Sequence, residues 1–204
     1  MNSFKSLPIK SKLTAIIMLT SCIALLMGCA SQTLTMAPQE SFAFMARGAP
    51  DLTGHKLRAD YLFNFAKYTE WPKEALPGEN EPIVFGILGK DPFGKDIDII
   101  KGKMVKHRKL EVKYFSTLAE AKGCHLLFIS SSEIDRLTEI LQALDKSSVL
   151  TVTEVDGSVS RSGMINLVIL GKHTLAFDID QGATERANLK LDTQLLRLAR
   201  TVKH

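Results

Sequence analysis

Between His55 and Pro72 the chain reads HKLRADYLFNFAKYTEWP, and its apolar positions recur at helical spacing. Leu57, Tyr61, Phe65 and Tyr68 define one face, which Leu62, Ala66 and Thr69 widen. Asp60, Asn64, Lys67 and Glu70 supply the polar side, and Phe63 falls among them, where it is expected to be partly exposed. Pro72 disfavours helical geometry at the residue before it, so the predicted helix stops at Trp71. A buried aromatic side chain covers on the order of 150–250 Å². A helix with this many needs a broad apolar surface beneath it.

The downstream pattern offers one. Leu76 to Pro82 is turn-rich, and Ile83 to Leu88 is a continuous apolar run, as in a strand buried on both faces. Gly89 to Gly94 is a turn, and Phe93 to Ile100 reads as a short helix with Pro92 suited to its start. Lys101 to Lys109 is strongly basic, which fits either a solvated hairpin or a contact for an acidic partner or anionic headgroups. Leu110 to Phe115 alternates like an outer strand, and Thr117 to Lys122 is a short helix closed by Gly123. Cys124 to Ile129 is a second buried strand. Ser130 with Glu133 fits a helix N-terminus, and Ile134, Leu137, Leu141 and Leu144 mark one face of the helix that follows.

Val149 to Thr153 is a further strand, and Asp156 to Gly163 is a polar loop. Met164 to Leu170 and Thr174 to Ile179, joined through Gly171 to His173, predict an antiparallel hairpin. Ala183 to Val202 is expected as one closing helix, with Leu191, Leu195, Leu198 and Val202 in register. Repeated strand–helix–strand units build a parallel sheet by right-handed crossovers. The predicted class is therefore α/β: a three-layer sandwich with a mostly parallel central sheet and an antiparallel hairpin at one edge.

Ahead of this domain, which spans 55–204, residues 1–28 read as an export signal. Lys5, Lys10 and Lys12 precede the apolar run Leu13 to Met27, and Gly28 and Ala30 are small residues flanking a cut. That run is shorter than the ~20 residues of a spanning helix. The net charge of the 204 residues is +4, and the three lysines carry most of it away, leaving a near-neutral chain with no electrostatic case for nucleic acid. Leu26-Met27-Gly28-Cys29 resembles a bacterial lipobox, with Cys29 as the residue to be acylated; Met27 is bulkier than usual there. Ala30-Ser31 lacks an acidic second residue, so outer-membrane placement facing the periplasm is expected. Residues 29–54 have the composition of a tether, with an arm packed through Phe42 and Phe44 as the alternative.

Motifs for chemistry are lacking. The sequence has no Gly-x-Ser-x-Gly elbow, no His-Glu-x-x-His, no paired-cysteine metal site and no Walker loop, so neither an enzyme, a metal nor a cofactor is expected. Asp178 and Asp180 share one side of a strand and suit an exposed strand end better than a cation site. His125 reads as structural and Cys124 as a small buried hydrophobe.

Several spaced segments, YLFNFAKYTEWP, ILGKDPFG, CHLLFISSSE, GMINLVI and LLRLA, together resemble the YfiR family of periplasmic bacterial proteins. The resemblance spans roughly residues 55–202. It implies a regulator that binds the periplasmic sensor region of a membrane diguanylate cyclase and holds that enzyme inactive, limiting cyclic di-GMP and biofilm growth. YfiR-like chains commonly pair a cysteine at the position of Cys124 with one on the ILG strand. Here that strand reads Val84-Phe85-Gly86-Ile87, so the pairing is absent, and Asp180 stands where Asn is usual. Exposure logic suggests Phe63, Trp71, Phe93 and Arg161 as partner contacts, and a homodimer is left open. The alternative class is a periplasmic small-ligand sensor or carrier, with residues 89–94 and 130–133 lining a crevice at the strand carboxyl ends.

Overall fold

The computed structural model describes residues 54–78, 80–156, 162–171 and 174–204. The first helix, α1 (Gly54–Lys67), buries Leu57, Tyr61, Leu62, Phe65 and Ala66 as the spacing requires. It ends at Lys67, earlier than Pro72 alone would dictate. The Thr69 hydroxyl donates to the Phe65 carbonyl at 2.7 Å, and Thr69–Glu70 becomes a short strand, β1.

The main sheet is built from β2 (Ile83–Leu88), β3 (Met104–Val105), β4 (Arg108–Phe115), β5 (Leu126–Ile129), β6 (Leu150–Thr153), β7 (Ile165–Gly171), β8 (Thr174–Asp180) and β10 (Thr201–Lys203). Its order is β10-β8-β7-β6-β5-β2-β4-β3. Strands β4, β2, β5, β6 and β7 run parallel, and β7 and β8 form the expected antiparallel hairpin. The hairpin lies at one end of the sheet, with the three-residue β10 added outside β8 in parallel. Strand β9 (Lys190–Leu191) stands apart and pairs with β1.

Helices cover both faces, giving the three-layer sandwich. On one side α1 packs beside the 3-10 helix Gly94–Ile99. Tyr61 and Phe65 meet Phe177 of β8 edge-on, with ring centroids 6.0 and 5.1 Å apart, and Phe93 meets Phe128 of β5 at 4.9 Å. On the other side α2 (Leu118–Ala121) and α3 (Leu137–Leu144) close over Val84, Leu88, Leu127 and Ile129. Thr117 caps α2 through a capping box with Glu120, and Ser130 caps the 3-10 turn Ser131–Arg136 that leads into α3.

The single closing helix does not form. Residues 181–203 instead give α4 (Gln181–Arg186), β9, α5 (Thr193–Leu198) and β10. Asp180 accepts from the Ala183 N–H at 2.7 Å and starts α4; Asn188, at φ 56, ends it in the left-handed region. Asp192 then caps α5, and Ala199 is extended. The leucines matched a helical period by coincidence: Leu195 is buried, whereas Leu198 is exposed.

Gly86 in the middle of β2 has no room for a side chain. A Cβ there would meet Phe115 at 2.6 Å and Leu127 at 3.0 Å. Gly86→Ala is expected to cost about 1–3 kcal/mol of stability by overpacking, seen as a lower urea midpoint with an unchanged slope.

Candidate functional site

Several side-chain hydrogen bonds tie loops to the amino ends of the parallel strands. His125, immediately before β5, uses both ring nitrogens. The Val84 N–H donates to Nδ1 at 2.9 Å, which places the proton on Nε2, and Nε2 donates to the Ala75 carbonyl at 2.9 Å. The Trp71 indole N–H donates to the His125 carbonyl at 3.0 Å, with the two rings edge-on at 6.2 Å. One histidine thus holds β2, β5, Trp71 and the loop after Pro72 together. Burial pushes its pKa below the ordinary value; the Ala75 carbonyl opposes this and the Arg108 charge adds to it. His125 is therefore a neutral structural residue, as expected from its isolation in sequence.

Trp71 forms a partly exposed ridge between two clefts. One, of about 580 Å³, has Trp71, Leu76, Ile83 and Val105 among its apolar lining and Lys73, Lys106, His107 and Arg108 among its polar lining. The other, of about 690 Å³, runs from Trp71 and Pro72 to Leu189 and Lys190. Arg108 gives its guanidinium to the carbonyls of Glu81 at 2.9 Å and Leu76 at 3.2 Å. Lys106 lies 3.4 Å from Glu70.

The carboxyl ends are arranged differently. The Gly89–Gly94 turn fills its own N–H groups: Phe93 and Gly94 donate to the Asp91 carboxylate at 2.7 and 3.2 Å. Gly89, at φ +86, lies against Ser132 and Glu133, and the Lys90 N–H donates to the Ser132 hydroxyl. The crevice expected between residues 89–94 and 130–133 is packed with protein side chains.

The other predicted positions fall as follows. Phe63 is partly exposed, with Lys103 Nζ 5.0 Å from its ring centre. Phe93 is a correction: at 2% exposure and edge-on to Phe128 it belongs to the core, not to a contact surface. Arg161 and most of the Asp156–Gly163 loop, like Cys29 and the tether, lie outside the described residues. Cys124 is buried, and burial pushes its thiol up to about 12, so it is inert as a nucleophile. Asp178 is held by Arg200 at 2.9 Å and Asp180 caps α4, so each aspartate has a structural role. The Trp71 clefts were missed in sequence, because their lining residues come from four separated segments; the run Lys101–Lys109 was the one available signal.

Among the described residues no group of three or more His, Cys, Asp or Glu is placed to hold a metal ion, and no helix is long and apolar enough to cross a membrane. The chain belongs to the YfiR/HmsC-like family (DUF4154), which matches residues 55–200. That family consists of periplasmic regulators. No curated protein matches the sequence. A solved structure of a conserved domain protein from Vibrio cholerae O1 biovar El Tor N16961 is similar at 14% identity and a TM-score of 0.41, over 75% of this chain and 61% of that one. The ABC domain from Streptococcus pneumoniae in complex with L-Trp is similar at 10% identity and a TM-score of 0.39, over 69% and 61%. The chain thus spans 61% of each of those two chains.

The state of His125 gives a pH prediction. A charged ring would aim a second N–H at that of Val84. The unfolded chain takes up this proton near 6.5 and the folded chain only at lower pH. The stability that the neutral ring supplies is complete above about 6.5 and declines as the pH falls from there toward the folded value. Denaturation midpoints at about pH 7.5 and about pH 5.5 should show this decline in the wild type and less of it in His125→Asn. That variant should also be about 1–3 kcal/mol less stable at the higher pH, since it breaks buried hydrogen bonds.

Proposed function

We propose that this protein is an exported regulator that binds the periplasmic sensor region of a membrane diguanylate cyclase and holds that enzyme in its inactive state. The match of the YfiR/HmsC-like family over residues 55–200 carries the reading. The carboxyl ends of the strands are filled by Asp91, Ser132 and Glu133, which favours a binding module over the small-ligand alternative at that place. Physically the regulator works by preferring one conformation of its partner, since equal affinity for both would shift nothing. Phe63, Trp71 and Arg161 are the proposed contact residues. Residues 1–28 are proposed as the signal, Cys29 as the acylated residue anchoring the chain to the outer membrane, and residues 29–54 as the reach between membrane and domain.

Two experiments test this. Deleting the gene should raise cyclic di-GMP in the host, measured by mass spectrometry of nucleotide extracts, and re-expression should reverse the rise. An unchanged level in a host that carries such a cyclase would reject the reading. Metabolic labelling with a fatty acid should mark the wild-type chain and leave Cys29→Ser unmarked; a label that survives the substitution would remove the proposed anchor.

A further inference from the structure

We infer that the groove beside Trp71 docks an acidic, extended segment of the partner protein, with apolar side chains against its apolar lining and carboxylates against its cations. This rests on the reading that the chain acts by binding another protein. The groove holds about 580 Å³ and lies between the loop after Pro72 and the β3–β4 hairpin. The indole of Trp71 forms one wall, Ile83 and Val105 add apolar lining, and Lys73, Lys106 and Arg108 supply positive charge.

The charge is poorly balanced from within. Arg108 is satisfied by two carbonyl oxygens, which accept its hydrogen bonds without neutralising it. Among the described lining residues Glu70 is the one carboxylate, and it faces Lys106 from a distance of 3.4 Å with both side chains largely exposed. Exposed pairs of this kind are weak. An arriving carboxylate can displace Glu70 at little cost and meets two further cations.

Shape decides the occupant. A lipid surface is broad and gently curved and is matched by a convex basic face. A concave groove with an indole along one wall matches a chain that can insert alternate side chains. Rigid aromatic anchors surrounded by a polar rim are the usual centre of protein contacts. A strand places successive side chains on opposite sides, so a segment alternating apolar and acidic residues presents one kind to the apolar lining and the other to the cations.

Trp71 is the only tryptophan of the chain, so its fluorescence reports on binding beside it, and Lys106, which lines this groove and not the second cleft, assigns the response to this groove. The full-length exported protein would be titrated with a short blocked peptide alternating Leu and Glu, with its Leu–Lys counterpart, and with vesicles of phosphatidylglycerol. The Leu–Glu peptide should shift the Trp71 emission saturably and the Leu–Lys peptide should not. Lys73→Glu and Lys106→Glu, both at exposed positions, should each weaken the response at least about tenfold. Lys113→Glu, outside the groove, should match the wild type, and circular dichroism would confirm that all three variants fold. No shift with the Leu–Glu peptide, equal binding by the groove variants, or a shift with vesicles alone would overturn the proposal. The purified periplasmic region of the cyclase is measured in parallel. If it binds wild type and groove variants equally, the groove fails and the regulatory reading stands. If it does not bind while the peptide does, the regulatory reading fails and the groove stands.

Discussion

The contact of Tyr61 and Phe65 with Phe177 is the constraint on which the domain rests. It joins the first described helix to a strand more than a hundred residues later, and the two rings approach the third edge-on. The Tyr61 hydroxyl reaches the Leu175 carbonyl at 2.9 Å, so the same residue supplies apolar area and a polar tie to β8. Aromatic pairs of this geometry add about 0.5–1.5 kcal/mol beyond the area they bury. With α1 fixed over β8, its end places Thr69 against Leu191 and delivers Trp71 to the amino ends of the strands.

From there the architecture is asymmetric. At the amino ends an imidazole and an indole tie a loop to two strands and leave accessible grooves on either side of the indole. Near the carboxyl ends, short side chains close the space: Asp91 caps its own turn, and Ser132 lies on Gly89. The arrangement fits a family of regulators, whose work is contact, and it puts the accessible aromatic surface beside Lys73, Lys106 of the β3–β4 turn and Arg108 of β4.

Much of this was legible in the chain itself. The apolar run Ile83–Leu88 and its counterpart at 126–129 mark central strands because residues buried on both faces leave no alternation to misread. Ser130 ahead of Glu133 marked a helix start, readable because capping acts over three residues, and the Ser130 side chain does cap the turn. The closing segment was misread because Leu191, Leu195, Leu198 and Val202 satisfy a helical period, while the interruptions at Asn188 and Asp192 depend on β1 and β8 offering partners to residues 190–191 and 201–203. Phe93 was misjudged for a related reason. An aromatic after a glycine turn has no local signal of burial, and the partner that buries it, Phe128, is on another strand. The groove beside Trp71 was invisible for the same cause: no stretch of sequence contains it.

The Asp91 turn has one more implication. Its two N–H donors already hold a negative group that is covalently attached to the same loop, so that group is never diluted, washed out or exchanged. A free anion arriving at this corner would have to displace a carboxylate tethered to the same turn, so these two N–H groups are poor receivers for one.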